Sequence, residues 1–277
     1  MPASRILTAF NTFVRDLRGS IRVAADTRSR FRLCMDFALS RFINLVPSGQ
    51  RNRLSEVTFR DDIKIRYRLN KGDIHSIREI WFEEAYRLPF EEPSGVLLDL
   101  GANMGMTSVW LAKRCSFTQV IAVAPDPNNA ALGRQNLKLN RITGQVLEAA
   151  IGPTEGTARF EFSQLSNLGR LSESGSLVPM ISVDAIIKKF SVARFGLIKI
   201  DIEGGEQKLF DGPVAWLALT DAIIIEFHPL IVDYPRLTRL VSSHGRRFIP
   251  ANSLFPDNMD GFTRISLAQP PETIQMG

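Results

Sequence analysis

Two short apolar runs each end in side chains that could carry out acid–base chemistry. Asp201 and Glu203 follow the run GLIKI, while Glu226 and His228 lie at the end of the run AIIIEF. Carboxylates and imidazoles are common general bases in enzymes, and open α/β sheets bind ligands beside the carboxyl ends of their strands. The pattern therefore favours proton removal from a substrate at such an edge, with His228 or Asp201 as the base.

Other roles for these side chains remain open. Asp201 could cap a helix, and Glu206 in the following helical turn could interact with the helix dipole. His228 directly precedes a proline and could be structural. Asp201, Glu203 and Glu226 could hold a divalent cation, but no metal site is predicted, because no cluster has a convincing ligand spacing.

A glycine-containing loop, DLGANMG, spans residues 99–105 directly after an apolar run. Glycines at a first strand-to-helix turn let the backbone approach a ligand closely. A dinucleotide fingerprint would need glycine at positions 101, 103 and 106, whereas Asn103 and Met106 occupy two of them. The spacing from Asp99 to Gly101 and Gly105 is instead similar to the S-adenosylmethionine loop of Rossmann-like methyltransferases. An ordinary tight turn with a helix cap is the alternative.

Short apolar runs alternate with helical patterns from about residue 93. Continuous apolar strands separated by helices indicate a parallel sheet buried on both faces. We predict an α/β fold with a Rossmann-like sheet of seven strands, mostly parallel with an antiparallel last strand. The expected segments are a basic helical extension, a hairpin-and-helix preamble and the Rossmann-like domain (1–50, 51–92 and 93–277).

The segments before the sheet carry their own periodicities. Residues 73–88 predict an amphipathic helix with Asp73 as its N-cap, and 55–69 predict a β-hairpin that turns at Asp61 and Asp62. A further helix over 31–46 is predicted from apolar residues at helical spacing, namely Phe31, Met35, Ala38, Phe42 and Leu45.

The positive charge of the chain lies in its first segment. Residues 1–50 hold eight arginines and three aspartates, which accounts for the whole net charge of +5. A solvated helical arm is one interpretation, and peripheral contact of residues 1–46 with an anionic membrane is another. Nucleic acid is not an expected partner. Cys34 and Cys115 form no disulfide-like or zinc-like pattern, which indicates a cytoplasmic protein, in contact at most with the inner face of the membrane.

Six segments, in their order along the chain, resemble the FkbM family of S-adenosylmethionine-dependent methyltransferases. They are VLLDLGANMGMTS, AVAPDPNNAALGRQNLKLN, EAAIGPTEGTARF, ISVDAI, LIKIDIEGGE and IIIEFHP, within residues 55–250. The resemblance implies S-adenosylmethionine as cofactor, with its amino-acid portion lined by Asp99, Gly101, Asn103 and Gly105. It also implies that the substrate side is formed by Asp201, Glu203, Glu226 and His228.

The second strand of the predicted sheet departs from this family. Sequences of the family typically read Glu-Pro-x-Pro where this chain reads Ala124-Pro125-Asp126-Pro127. The carboxylate that would bind the ribose diol is therefore missing at Ala124. Asp126 lies two residues further on and could replace it, although the flanking prolines stiffen the turn.

The resemblance implies methyl transfer to a hydroxyl group of a sugar, glycolipid, polysaccharide or secondary metabolite. Catalysis would then depend on positioning of the reactants and on a base. Two alternatives are weighed against this: a degenerate, non-catalytic fold that binds a glycan or a partner, and a nicotinamide-dependent oxidoreductase. The oxidoreductase is disfavoured by the glycine spacing and by the missing acid at Ala124.

Overall fold

The fold is that of a computed structural model that describes residues 3–88, 92–161, 170–171, 175–203, 205–227, 232–245, 247–250 and 264–269. Its α-helices are α1 (Ala3–Val23), α2 (Thr27–Arg41), α3 (Lys71–Ile77), α4 (Met106–Arg114), α5 (Pro127–Leu139), α6 (Val183–Phe190), α7 (Glu206–Asp211) and α8 (Tyr234–Ser243). Its first strands are β1 (Leu54–Thr58), β2 (Lys64–Arg68), β3 (Ser94–Leu100), β4 (Ser116–Val123), β5 (Gly144–Leu147) and β6 (Ala150–Ile151). The others are β7 (Gly156–Glu161), β8 (Arg170–Leu171), β9 (Ser176–Ile181), β10 (Phe195–Ile200), β11 (Thr220–Phe227), β12 (Arg247–Pro250) and β13 (Arg264–Gln269).

The central sheet has the strand order β12-β13-β11-β10-β3-β4-β5. The strands from β11 to β5 are all parallel, and β13 is antiparallel to both of its neighbours. Every residue of β10 is buried, because helices or loops cover both faces of the sheet. The predicted α/β, Rossmann-like class with a mostly parallel sheet is thus confirmed.

Residues alternate between the two faces of the central strands. Leu97, Leu197 and Ile224 belong to an apolar cluster on one face, and their neighbours Leu98 and Ile198 belong to a cluster on the other. Since side chains on a strand alternate with a period of two, the next positions along the first face are charged. These positions are Asp99, Lys199 and Glu226, on adjacent strands.

The preamble packs against that same face. β1 and β2 form the predicted antiparallel hairpin. Two asparagine side chains, one on α5 and one at its C-cap, form hydrogen bonds with backbone groups of β2. Asn136 Oδ1 and Nδ2 bond the backbone N–H and C=O of Arg66 at 2.8 and 3.0 Å, and Asn140 bonds Lys64 at 2.9 and 2.7 Å in the same manner. The hairpin is therefore fastened to the Rossmann-like part of the chain.

The helix predicted over 73–88 is shorter and starts earlier. α3 begins at Lys71, with Asn70 rather than Asp73 as its N-cap. The Asp73 carboxylate instead accepts bonds from the backbone and guanidinium of Arg68 at 2.7 and 3.0 Å. One π-helical turn, Arg78–Phe82, follows α3 and ends the helical run. The chain after that turn leads Tyr86 into the site.

A small second sheet follows β5. Its strand order is β6-β9-β7-β8, with β7 and β9 antiparallel to each other. Gly152 N donates to Ile181 O at 3.0 Å, which links the entry of this sheet to its last long strand. The segment lies between β5 and β10 in the chain, where an insertion does not interrupt the parallel strands.

Candidate active site

Lys199 is the buried charge around which the site is organised. Its side chain is 2% exposed, and Nζ lies 3.2 Å from Asp99 Oδ1 and 3.3 Å from Asp201 Oδ2. Nζ also donates to Gly101 O at 3.0 Å. Burial opposes the charged form, but Asp99, Asp201 and Glu226 outweigh it, so the pKa of Lys199 is raised and the amine stays protonated. One ammonium thus joins the ends of β3 and β10.

Tyr86 connects the carboxylates at the ends of β10 and β11. Its hydroxyl donates to Glu226 Oε2 at 3.2 Å and approaches Asp201 Oδ2 at 3.5 Å, while its ring lies 5.8 Å from Lys199 Nζ. Burial, followed by repulsion from Glu79, Glu226 and Asp201, raises the pKa of Tyr86 well above its usual value. The phenol therefore remains a donor to these carboxylates.

Glu79 brings a further carboxyl group from the π-helical turn. Burial and the nearby charge of Asp201 raise the pKa of Glu79 to about 8, although Lys199 acts in the opposite direction. Glu83 and Glu203 add to the repulsion. Glu79 consequently changes charge near neutral pH, unlike an ordinary glutamate.

Asp99 lies beneath the glycine loop and is fully buried. Its Oδ2 accepts from Ser108 Oγ at 2.5 Å, and its Oδ1 faces Lys199. The family resemblance implies that Asp99 lines the cofactor, which stays a prediction; in this arrangement both oxygens face protein groups. The carboxylate positions α4 and Lys199, and through Lys199 the backbone of the loop.

The two glycines of the loop make room for protein backbone. Gly101 has φ +79°, and a Cβ there would lie 1.7 Å from Asp201 O. Gly105 has φ +73°, and its Cβ would lie 3.2 Å from Gly133 Cα on α5. The close approaches at both glycines are between segments of the chain itself, and room for a ligand at these glycines stays a prediction.

Asn103 at the tip of the loop also has a left-handed backbone, with φ 50°. Its Oδ1 is buried and has no hydrogen-bond partner among the described residues. A buried acceptor without a partner requires an explanation, and a ligand with N–H or O–H groups supplies one. The loop thus fits a cofactor that carries an amino group.

The carboxyl end of β4 is apolar. Ala124 is fully buried in the apolar cluster on the face of Leu97, and its N–H donates to Leu147 O at 3.0 Å. Asp126 Oδ1 accepts from the backbone N–H of Asn128 and Asn129 at 2.7 and 3.0 Å and caps α5. Asp126 as a ribose ligand and Ala124 as a residue of the cofactor site remain predictions, and the capping bonds already occupy one oxygen of Asp126.

The remaining predicted residues are distributed as follows. Glu203 is partly buried just past β10 with φ 53°, and Glu206 is buried and accepts from Ile202 N at 3.2 Å. Glu206 lies in the first turn of α7, where a carboxylate can interact favourably with the helix dipole. His228 lies outside the described residues.

In the described part of the chain, no group of three or more His, Cys, Asp or Glu side chains could hold a metal ion.

Three residues at the site were not predicted from the sequence: Lys199, Tyr86 and Glu79. Lys199 had a signal, since a lysine inside a continuous apolar strand must find partners when it is buried. Tyr86 and Glu79 had none, because they reach the site only through the packing of the preamble. The structure therefore brings together Asp201 and Glu226, and their partners come from β10 itself and from the single segment of 79–86.

Comparison with known proteins identifies relatives that are methyltransferases. The chain is 29% identical over 183 residues to the hexuronic acid methyltransferase AglP of Haloferax volcanii, a match that covers 61% of this chain and 74% of the relative. It is 23% identical over 217 residues to the 31-O-demethyl-FK506 methyltransferase FkbM of Streptomyces tacrolimicus, with 64% and 83% covered. A solved FkbM methyltransferase from Methylobacillus flagellatus shares 16% identity at a TM-score of 0.48; the match covers 95% of this chain and 59% of that one.

The family assignment rests on a match to the family as a whole. The family described as the FkbM methyltransferase domain matches residues 99–248 of the 277, more than half of the chain. The match begins at Asp99 in the glycine loop, continues through Lys199 and Asp201, and includes Glu226. The chain belongs to the FkbM family of methyltransferases, for which S-adenosylmethionine is the methyl donor.

Proposed function

We propose that this protein transfers a methyl group from S-adenosylmethionine to a hydroxyl oxygen of a sugar, glycan or secondary metabolite. Family membership supports the methyl transfer. The names of the relatives support the acceptor class, since one acts on a hexuronic acid and another on a demethylated oxygen of FK506. S-adenosylmethionine supplies an electrophilic methyl group on its sulfonium when it is bound.

The observation that carries the proposal is the fixed position of the Asp201 carboxylate. Lys199 and Tyr86 contact it at 3.3 and 3.5 Å, yet its side chain is 20% exposed at the carboxyl edge of the sheet. A base must be held in place and must also reach its substrate. Asp201 meets both requirements and would accept the proton of the acceptor hydroxyl.

The charge of the site favours a neutral acceptor oxygen. Asp99, Asp201 and Glu226 surround Lys199, so the carboxylates outnumber this cation. An acceptor carboxylate would be repelled at this position, whereas a hydroxyl group can donate a hydrogen bond to Asp201. On a uronic acid, we therefore propose a ring hydroxyl rather than the carboxylate as the methylated group.

Residues on the other side of the edge would hold the donor. The loop of 101–105 would receive its amino-acid portion, where the buried Oδ1 of Asn103 can accept from an amino group. Ala124 would offer the ribose no hydrogen-bond partner from its side chain. A hydrogen bond to a charged group contributes about 1.5–3 kcal/mol, so the missing carboxylate weakens binding by roughly one to two decades without abolishing it.

The test combines titration with product analysis. The purified chain is titrated calorimetrically with S-adenosylmethionine, S-adenosylhomocysteine and NAD, and then incubated with methyl-labelled donor and glycosides of neutral sugars and uronic acids. We expect binding of the two adenosyl ligands and an alkali-stable methyl ether. An alkali-labile methyl ester would refute the hydroxyl assignment, and tight binding of NAD alone would refute the methyltransferase.

Variants then separate the candidate bases. Asp201→Asn should lower kcat by about 10²–10⁴, the usual contribution of general base catalysis, with little change in the affinity for S-adenosylmethionine. His228→Ala, the competing assignment, should retain most of the activity. The reverse result would transfer the role to His228, the residue outside the described part of the chain.

The apolar end of β4 favours one second candidate function. Ala124 lacks the carboxylate typical of the family at that position, which is the change expected in a fold that has lost catalysis and binds a glycan or a partner instead. The titration separates the two, because such a protein would bind neither S-adenosylmethionine nor S-adenosylhomocysteine. Retained glycan binding in that case would support the second candidate.

A further inference from the structure

The N-terminal helical pair exposes an apolar stripe. Apolar residues predicted at helical spacing are exposed on α2 and at its C-cap: Phe31 by 69%, Met35 by 41% and the C-cap residue Phe42 by 61%. Leu45 in the turn that follows is exposed by 81%. Phe31, Met35 and Phe42 are spaced by four and seven residues, so they lie on one side of the helix. We call these four residues the α2 stripe.

The opposite side of α2 is buried and partly polar. Asp36 is fully buried, accepting from Ser55 Oγ at 2.7 Å and Tyr67 OH at 2.9 Å and pairing with Arg53. Leu33 and Phe37 pack beside it. This side of α2 is thus bonded to the rest of the protein through a satisfied carboxylate, whereas Phe31 and Met35 point outward.

α1 repeats this arrangement. Asp16 is fully buried and accepts from Arg41 at 2.8 Å and from Arg78 at 2.9 Å. Phe10 and Ile21, eleven residues apart and therefore on one side of α1, are 61% and 51% exposed. Both helices are therefore bonded to the rest of the protein through buried aspartates, and both expose apolar side chains to the solvent.

Arginines border these apolar residues. Arg28 and Arg32 precede Phe31 and Met35 by three residues each, and Arg18 precedes Ile21 by three. Side chains three apart on a helix are neighbours, and Arg18 and Arg28 are exposed. Asp16 and Asp36, two of the three acidic residues in 1–50, are buried in ion pairs. The outer surface of the pair therefore combines apolar and positive groups.

We propose that the α1–α2 pair docks on an anionic lipid bilayer, with the α2 stripe in the interface and the bordering arginines against the headgroups. Amphipathic helices that lie in the plane of a membrane combine aromatic residues with arginine in this way. Among the described residues, no helix is long and apolar enough to span a bilayer. A second copy of the chain fits less well, because both surfaces would carry the positive charge of residues 1–50.

The inference is tested on the full chain by vesicle sedimentation. The vesicles contain either phosphatidylcholine alone or equal parts of phosphatidylcholine and phosphatidylglycerol. We expect binding to the anionic vesicles, weaker binding as salt rises, and little binding to the neutral ones. The double variant Phe31→Ser/Phe42→Ser should lower the partition coefficient at least ~10-fold, since each phenylalanine loses buried apolar area.

Two further variants complete the design. Arg28→Gln/Arg32→Gln should weaken binding to anionic vesicles and reduce its salt dependence. Leu177→Ser, at an apolar residue that is 65% exposed on β9, is the matched control and should bind as the wild type does. Circular dichroism verifies that each variant is folded, and methyl transfer to a soluble acceptor should be the same in all of them.

Two outcomes would overturn the inference. One is equal sedimentation of the wild type and the Phe31→Ser/Phe42→Ser variant with anionic vesicles, or no sedimentation of either. The other is a wild-type dimer, measured by light scattering, that becomes monomeric in this variant without any vesicle binding. That second result would assign the stripe to another copy of the chain.

Discussion

Directly after β3 and β4, at residues 101–105 and 124, backbone and uncharged groups form the candidate site. At the ends of β10 and β11, charged groups form it. On the first side, Gly101 packs against a carbonyl and Ala124 is buried among apolar residues. On the second, Asp201 and Glu226 share Tyr86 as a donor, next to the ammonium of Lys199. The two sides therefore depend on different interactions and should respond differently to substitution.

The difference indicates which side can change without loss of the fold. A residue that only binds a ligand, as an acid at position 124 would, can be replaced without loss of the fold, and only the affinity for the ligand falls. A member of the buried charge cluster cannot, because its partners would be left uncompensated in a medium of low dielectric constant. This contrast explains how the chain can carry Ala124 while it retains Lys199 between two aspartates.

Lys199→Met provides the strongest test of this contrast. Removal of the ammonium leaves Asp99, fully buried, and Asp201 without their common partner. Breaking a buried ion pair from one side costs about 3–5 kcal/mol, and we expect that loss in the free energy of unfolding, measured with urea. Lys189→Met, at an exposed lysine on α6, is the control and should stay within about 0.5 kcal/mol of the wild type. A loss below about 1 kcal/mol at Lys199 would contradict its central role.

Gly101→Ala tests the uncharged side. The new Cβ would overlap Asp201 O, and the backbone has φ +79°. Overpacking costs about 1–3 kcal/mol and a left-handed backbone about 1–2 kcal/mol, so we expect a destabilisation of roughly 3 kcal/mol.

Gly95→Ala separates the two contributions to that loss. Gly95 has φ +87°, and a Cβ there would meet no atom within 4 Å, so only the backbone strain applies at this position. We expect a destabilisation of about 1–2 kcal/mol. Equal losses at Gly95 and Gly101 would show that the contact with Asp201 O has no consequence, and thermal melts measure both.

Much of this architecture follows from the sequence. The apolar runs predicted the parallel sheet, and the family resemblance implied that Asp201 and Glu226 lie on the same, substrate side of the site. The contacts of Tyr86 and Glu79 could not be predicted, since they depend on how the segment after α3, more than a hundred residues before β10, packs against the ends of β10 and β11. The orientation of α2 could not be predicted either. Periodicity shows that Phe31 and Met35 lie on one side of the helix, but it does not show which side packs against the rest of the protein.

Glu79→Gln should reveal the charge coupling through pH. The ordinary pKa of glutamate is near 4.5, whereas that of Glu79 is raised to about 8. Between these values the unfolded chain has released a proton that the folded chain keeps, so this residue lowers stability as pH rises through that window. Gln cannot ionise. The variant should therefore match the wild type near pH 4 and melt higher at pH 8.

The expected gain is at least about 2–4 °C, the shift that 1 kcal/mol produces in a domain of this size. Glu155→Gln, at an exposed glutamate, is the control and should follow the wild-type melting curve at each pH. A gain for Glu79→Gln that is the same at pH 4 and pH 8 would exclude ionisation as its cause. Comparison of Glu79 with Glu155 thus distinguishes a buried carboxyl group near other charges from a solvated one.

The smallest effect is expected at Asp126, where capping and ribose binding can be separated. Asp126 Oδ1 accepts from two backbone N–H groups of α5, and asparagine is about as good an N-cap as aspartate. Asp126→Ala should therefore lose about 1 kcal/mol of stability, whereas Asp126→Asn should lose only a few tenths. If capping is the whole role, calorimetric titration will give both variants the wild-type affinity for S-adenosylmethionine. A tenfold weaker binding by the stable Asp126→Asn variant would instead show that this carboxylate holds the ribose in place of the acid missing at Ala124.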